Sequence, residues 1–351
     1  MKLQGPLSPR QASRLVDEAL MRCARTSVRT DVAGGYALLT EGAVLGDDRP
    51  AVLAVGAFDG LHLGHRALVD AAISDAHAKG VACLAVTFDP DPSEVLFPSS
   101  AERRLLATDD RVEGLLALGV DGVVVLEFTT TLASLSPRRF VGEVLCACCD
   151  PVAIHVGSNF RFGAGGTGDV CLLRELGREL GFEVRESALL MAGGDRVSST
   201  RVRNLLALPD MLDEANELLG RAHFLRGAVE HGRGEGTSFG FPTANVRFPR
   251  RSCMPAQGVY GGYAVMGDSA WPAAINVGAP PTFSGPDELF LEANLIGFEG
   301  DLYGREMAVV FVEWLRASRP FSSTDELERV VLGNIDWVRT NLGDGRVEVR
   351  A

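Results

Sequence analysis

Two hydrophobic patterns of different texture meet near Leu208-Pro209, and one core cannot serve both. Before that point, apolar runs at 51–57, 81–88, 121–128 and 152–157 alternate with helical stretches that end near Gly80 and Gly119 or begin at Ser136-Pro137. Runs without polar alternation read as strands covered on both faces, and strand–helix alternation predicts a doubly wound α/β domain with a parallel sheet. Beyond Leu208-Pro209, short runs at 223–230, 257–266, 271–278, 289–297 and 306–313 are broken by glycine and proline, which suits a small antiparallel β-barrel. A helix closes the chain, with Ser323 and Glu326 reading as a capping box and Leu327, Val330, Val331, Ile335, Val338 and Leu342 as its buried stripe. At 351 residues the chain has the length of two domains. The expected division is 1–50 as an N-terminal extension, 51–208 as the α/β domain and 209–351 as the barrel domain.

The extension holds one amphipathic helix. Ser8, Pro9 and Gln11 supply an N-cap, an N1 proline and a capping-box partner, and Ala12, Leu15, Val16, Ala19, Leu20 and Cys23 follow at helical spacing. The pattern leaves open whether this stripe packs on the chain itself or on a partner.

Composition narrows the chemistry. Hydrophobic residues at 46% and charged residues at 23% are those of a folded globular protein. With no run of about 18 apolar residues and no leader-like start, we expect a cytoplasmic protein and no membrane partner. A net charge of −12 argues against nucleic acid, whose phosphates must be met by cations. Cys146, Cys148 and Cys149 lie too close together for a zinc-site spacing and read as small apolar residues in a reducing compartment. The only lysines are Lys2 and Lys79, and the Gly-Lys-Ser/Thr string of a P-loop does not occur. Phosphate chemistry here must therefore use backbone amides, arginine, imidazole and a divalent metal.

The first strand runs into Gly56-Ala57-Phe58-Asp59-Gly60-Leu61-His62-Leu63-Gly64-His65 and then a helix. Two imidazoles three residues apart at a helix start, with glycines that let backbone amides approach, make an anion site without lysine. Such a site suits nucleotidyl transfer, which needs charge stabilisation more than covalent help. Gly157-Ser158-Asn159-Phe160-Arg161-Phe162-Gly163 follows another strand, and Ser198-Ser199-Thr200-Arg201-Val202-Arg203 opens a helix whose hydroxyls, amides and arginines can hold pyrophosphate.

A second constellation fills residues 231–245. Gly232, Gly234, Gly236 and Gly240 form a loop able to wrap phosphates, and Thr243 and Asn245 offer oxygens suited to Mg²⁺. Glu292 stands in an apolar strand, where it reads either as a desolvated general base or as a solvent-facing strand residue.

The strings GAFDGLHLGH, TFDPDP at 87–92, GSNFRFG and SSTRVR, in that order across 52–206, resemble the nucleotidyltransferase half of prokaryotic bifunctional riboflavin kinase/FAD synthetases. Residues 218–342 resemble riboflavin kinase through Phe241-Pro242-Thr243-Ala244-Asn245, residues 300–304 and residues 311–316. The resemblance implies a Rossmann-like nucleotidyltransferase domain followed by a riboflavin kinase barrel. It places Gly56, Phe58, Asp59, Gly60 and Gly64 at ATP, with His62 and His65 on its phosphates. It puts Ser199, Thr200 and Arg203 on the β- and γ-phosphates, and Asn159, Arg161 and Tyr260 at the flavin. Thr243 and Asn245 then bind Mg-ATP, and Glu292 is the general base for the 5′-hydroxyl of riboflavin. The implied partners are riboflavin, FMN and ATP, with Mg²⁺ as cofactor. In two places the chain departs from the family pattern: Asp91 stands where the family usually has histidine, and Thr237 where it commonly has a basic residue. Two rival readings stay open, a kinase whose first domain acts on a different flavin or nucleotide, and a flavin-binding regulator without turnover.

Overall fold

The computed structural model describes residues 2–23, 26–32, 35–40, 49–231, 243–278 and 290–350. The chain separates into two compact units. A sheet unit comprises Cys23–Glu102 and Thr108–Ser198, and a barrel unit comprises Met1–Arg22, Arg103–Ala107 and Ser199–Ala351. The N-terminal 50 residues are thus shared between the two, and the barrel unit begins ahead of residue 209.

In the sheet unit, β3 (Pro50–Val55), β4 (Ala82–Asp89), β5 (Gly122–Glu127), β6 (Asp150–Gly157) and β7 (Glu183–Ser187) run parallel in the order β5-β4-β3-β6-β7. The hairpin β1 (Ser27–Val32) and β2 (Gly35–Thr40) extends the sheet antiparallel beyond β5. The expected doubly wound α/β fold is present. One face is covered by α2 (Leu63–Lys79), which buries Leu68, Val69, Ala72 and Ala76, and by α4 (Thr108–Leu118), which buries Val112, Leu115 and Leu116. On the other face Leu53, Val55, Leu84 and Val86 join a core with Phe140, Val141 and Leu145 from the helical turns at 130–148 and with Leu173 and Leu176 of α8 (Val170–Leu180). Those turns are α5 (Thr130–Ala133), α6 (Pro137–Arg139), the π-helical turn Phe140–Leu145 that carries the three buried residues, and α7 (Cys146–Cys148); a short α3 (Pro92–Leu96) follows β4, and β8 (Met191–Ala192) pairs with β9 (Asp195–Arg196).

In the barrel unit, α9 (Ser199–Leu206) and α10 (Leu212–Leu219) lead into β10 (His223–Glu230), β11 (Ala244–Arg247), β12 (Gly258–Met266), β13 (Ser269–Gly278), β14 (Phe290–Leu295) and β15 (Glu306–Ala317). These six strands close an antiparallel ring, β12-β15-β10-β11-β14-β13, through the β12–β13 pairing. Closure brings β12 and β15 very near at Gly262, where a Cβ would stand 2.0 Å from the Val310 carbonyl oxygen, so only glycine fits. Asn216 of α10 ties two strands by accepting from the His223 N–H at 2.7 Å and donating to the Phe311 carbonyl at 3.3 Å.

The closing helix α11 (Thr324–Leu342) buries Ile335, Val338 and Leu342 and leaves Val330 and Val331 half-buried. Its expected capping box is only half made. Ser323 Oγ accepts from the Glu326 N–H at 3.1 Å, but the Glu326 carboxylate turns to Ser322, taking its N–H at 2.8 Å and its hydroxyl at 2.6 Å. A two-residue strand, β16 (Val347–Glu348), then pairs with the start of β13.

The N-terminal helix α1 (Pro9–Leu20) starts with the expected Ser8–Gln11 capping box and buries Ala12, Leu15, Val16, Ala19 and Leu20 within the barrel unit. Polar anchors hold it at both ends. The Leu7 N–H donates to the Asn341 carbonyl at 2.7 Å, Ser13 Oγ to the Glu348 carbonyl at 2.7 Å, and Arg22 to the Gly267 carbonyl at 2.7 Å and to that of Arg350. The stripe left without a destination by the sequence covers the chain's own barrel.

Candidate functional site

In the sheet unit, β3 is the strand from which chain order reverses: β4 and β5 lie to one side of it and β6 and β7 to the other. Loops leaving β3 and β6 at their carboxyl ends therefore diverge, which opens the crevice where doubly wound folds take ligands. The loop after β3 is tightly wound, with Phe58, Gly60 and Leu61 at φ of 53°, 84° and 44°. Two non-glycine residues in the left-handed region store strain that the surroundings must hold in place.

That loop delivers His62 as the N-cap of α2. Its Nδ1 accepts from the His65 N–H at 3.3 Å, so the neutral ring carries its proton on Nε2 and presents a donor. His62 and His65 stack with centroids 3.7 Å apart and planes 14° apart, and Phe58, wholly buried, meets His65 edge-on at 5.5 Å. Phe58 thus supports the imidazole from below. Gly64 makes room for the stack, since a Cβ there would lie 3.2 Å from the His62 ring. Burial, the neighbouring His62 and the Arg111 guanidinium push the His65 pKa well below its ordinary value. Its Nδ1 is enclosed and has no hydrogen-bond partner among the described residues. The lowered pKa keeps the His65 ring neutral, so it contacts a ligand without adding titrating charge.

Asn159 and Arg161, on the loop after β6, are exposed at the same strand ends, and Arg161 lies 3.8 Å from Asp169. Asp91, on the loop after β4, is the N-cap of α3. Its Oδ1 accepts from Ser93 N–H at 2.9 Å and Ser93 Oγ at 2.7 Å, and Glu94 closes a reciprocal capping box. The residue that departs from the family pattern has local work for its carboxylate. Ser199, Thr200 and Arg203 open α9, which belongs to the barrel unit, and Arg203 Nε donates to the Arg103 carbonyl at 2.6 Å. Thr87, the first residue of the 87–92 string, and Arg111, absent from the sequence reading, shape the sheet unit's loops: Thr87 Oγ1 and Arg111 Nη1 both donate to the Ala57 carbonyl, at 3.0 and 2.8 Å. The only sign of Arg111 in sequence is a charge at the buried spacing of Val112, Leu115 and Leu116.

On the barrel, Asn245 of β11 stands opposite Glu230 of β10 and opposite Glu292 of β14, which in turn stands opposite Asn276 of β13. Opposed residues of antiparallel strands share a face. The intervening Ala244, Val246, Leu291, Ala293, Ile275 and Val277 are buried, so the Asn245–Glu292–Asn276 row lies half-buried on the barrel's outer face. The apolar residues flanking Glu292 therefore point away from it, into the core. Thr243, half-buried, precedes the row by one strand step. Tyr260, expected at the flavin, is instead a core side chain: it is 1% exposed, packs edge-on against Phe311 and Trp314, and donates to the Ala256 carbonyl at 2.5 Å. Gly232, Gly234, Gly236, Thr237 and Gly240 lie outside the described residues, as do Pro281-Thr282-Phe283. Among the described residues no three His, Cys, Asp or Glu side chains gather into a metal centre, and no helix is long and apolar enough to cross a membrane.

The FAD synthetase family matches residues 45–201, and the riboflavin kinase family matches residues 219–342. Bifunctional riboflavin kinase/FMN adenylyltransferases are similar along most of their length. The Escherichia coli K12 protein is 37% identical over 79% of this chain and 88% of its own. The one from Pseudomonas fluorescens is 37% identical over 84% and 93%, and that of Bacillus subtilis 31% identical over 79% and 88%. In fold, the chain matches a crystal structure described as a macrolide-efflux protein from Streptococcus pneumoniae, with a TM-score of 0.75 and 28% identity over 84% of this chain and 95% of that one.

Proposed function

Because the chain belongs to the bifunctional riboflavin kinase/FMN adenylyltransferase family, we propose that its two polar clusters serve the two steps of one synthesis. The protein phosphorylates riboflavin with ATP to give FMN and ADP, then adenylylates FMN with a second ATP to give FAD and pyrophosphate. What supports the division is that the two matched families fall on two separate stretches, each carrying its own polar cluster.

For the first step, Glu292 accepts the proton of the 5′-hydroxyl as that oxygen attacks the γ-phosphorus of ATP. Thr243 Oγ1 and Asn245 Oδ1 would offer oxygen donors suited to a hard divalent ion, which we take to be Mg²⁺, beside Glu292 in the adjacent register. So few protein ligands fit an ion that is held largely by the nucleotide's own phosphates, and its part is to offset charge developing on them. The loop holding Gly232, Gly234, Gly236 and Gly240 is assigned to those phosphates.

For the second step, an FMN phosphate oxygen attacks the α-phosphorus in line as the bond to pyrophosphate breaks. His62 Nε2–H and His65 donate to the phosphate oxygens, and the N-terminus of α2, with Gly56, Asp59, Gly60 and Gly64 around it, adds its dipole. Asn159 and Arg161 are assigned to the flavin nucleotide. The Cys83, Cys146 and Cys171 thiols form no disulfide, which suits the reducing cytoplasm to which we assign the enzyme.

The test is chromatography of flavins after the protein is incubated with riboflavin, ATP and Mg²⁺. FMN should appear first and FAD after it. Accumulation of FMN alone would leave only the kinase, and bound, unconverted riboflavin would leave a regulator.

A further inference from the structure

We propose that Arg111 is the positioning residue of the adenylyl-transfer site, setting the geometry of the loop that carries the imidazole pair without touching the nucleotide. The assignment rests on the reading of the sheet unit's strand-end loops as that site. Arg111 projects from α4 and is 2% exposed, yet its guanidinium reaches two different strand ends. Nη1 donates at 2.8 Å to the carbonyl of Ala57, on the loop leaving β3, and Nη2 donates at 2.7 Å to the carbonyl of Phe88, the penultimate residue of β4.

Three features make this more than an internal tie. The Ala57 carbonyl lies immediately before the strained stretch from Phe58 to Leu61, so a fixed carbonyl there sets where His62 emerges. Thr87 Oγ1 donates to the same carbonyl at 3.0 Å, which gives that one oxygen two side-chain donors from two elements. Third, the titratable and charged groups facing His65 are His62, beside it at the helix start, and Arg111, from α4. Arg111 therefore also helps keep the imidazole neutral and adds positive potential to a site that must draw in polyphosphate.

The two roles separate by substitution. A planar fork is needed to bond two carbonyls on neighbouring strands, and the lysine ammonium, a point charge on a flexible stem, does not reproduce it. Arg111→Lys keeps the charge and loses the fork, whereas Arg111→Met loses both. Full-length wild type and both variants are assayed for FMN formation and for FAD formation from supplied FMN across acid to neutral pH, with kcat and KM for ATP resolved. The kinase rate in each sample reports the amount of intact barrel unit, and far-ultraviolet circular dichroism reports whether the sheet unit is folded as well.

In Arg111→Lys, adenylyl transfer should fall on the order of 10-fold, because loop displacement of well under 1 Å is felt at this scale, with the acid limb of its pH profile unmoved. In Arg111→Met it should fall on the order of 100-fold, and the acid limb should move to higher pH as the His65 pKa rises toward its ordinary value. Adenylyl transfer at the wild-type rate in either variant refutes the assignment. So does a loss in Arg111→Met that leaves the acid limb where it was, since that is the mark of a merely structural residue. Should Arg111→Met fail to fold, Arg111→Lys decides alone: weakened adenylyl transfer with a wild-type circular dichroism spectrum and an intact kinase supports the proposal, and a loss of adenylyl transfer that merely tracks loss of the sheet unit's circular dichroism signal overturns it. A wild type that makes no FAD from FMN would instead refute the reading of the sheet-unit site.

Discussion

Truncating Leu20 tests whether α1 is part of the barrel unit's core. The side chain is 0% exposed on the last turn of a helix anchored at both ends, by Leu7 to the Asn341 carbonyl and by Arg22 to those of Gly267 and Arg350. Leucine-to-alanine changes in cores cost about 2–5 kcal/mol, the larger values where the surroundings cannot collapse into the cavity. A helix pinned at both ends cannot settle inward, so Leu20→Ala should cost about 3–4 kcal/mol. For a unit of this size each kcal/mol is worth about 2–4 °C, which puts the loss in melting midpoint at about 6–16 °C. The readout is unusually clean because the three tryptophans, Trp271, Trp314 and Trp337, all belong to the barrel unit. A thermal melt followed by tryptophan fluorescence reports that unit alone, while far-ultraviolet circular dichroism sees both. A fluorescence midpoint within about 1 °C of wild type would refute the packing argument.

Three further outcomes are expected. Glu292→Gln should lower riboflavin phosphorylation by about 10²–10⁴ while conversion of supplied FMN to FAD stays intact, and a wild-type kinase rate would remove Glu292 as the base. Asp91→His should change adenylyl transfer by less than about 10-fold, because the carboxylate already caps α3 through Ser93; a gain of about 10²–10³ would mean that it faces phosphate after all. Burial, and next the Arg221 charge, hold the His223 pKa at about 3 against an ordinary 6.5, although its bond to the Cys253 carbonyl opposes the shift. Below pH 6.5 the unfolded chain therefore binds a proton that the folded barrel refuses, and stability should fall by up to about 1.4 kcal/mol per pH unit as pH drops toward 3. His223→Phe should flatten that fall in denaturant melts, and an unchanged slope would count against it.

The fold was legible wherever burial is two-sided. β3, β4, β5 and β6 are covered on both faces, so their apolar runs stand out. β1 and β7 are edge strands whose sequences, Ser-Val-Arg-Thr-Asp-Val and Glu-Val-Arg-Glu-Ser, face solvent enough to carry no such run. The destination of α1 depends on pairing with residues more than 300 positions away, which no local pattern encodes. At the site, the imidazole pair could be read because a helix start is a local event, whereas Arg111 acts through carbonyls of two other elements. Asp91 is the instructive case. Asp91-Pro92-Ser93-Glu94 spells an N-cap, an N1 proline and an N3 glutamate, so its capping role was present in the sequence beneath the contrast with the family histidine. Tyr260 shows the converse, a residue that the resemblance put at the flavin and whose ring fills the core.

Anchoring α1 to the far end of the chain has a consequence for synthesis. Leu20 leaves the ribosome more than 300 residues ahead of Glu348 and Arg350, whose carbonyls hold its helix. At about 5–20 residues per second the apolar stripe of α1 waits roughly 15–65 s for its partner, long after the Cys23–Glu102 and Thr108–Ser198 segments can have folded as a unit. The barrel unit is therefore the last to complete, and a chain interrupted before residue 347 lacks β16 and the Glu348 and Arg350 carbonyls that anchor α1. Nascent and truncated chains, rather than the finished enzyme, are where this protein is most exposed to aggregation and to chaperone capture.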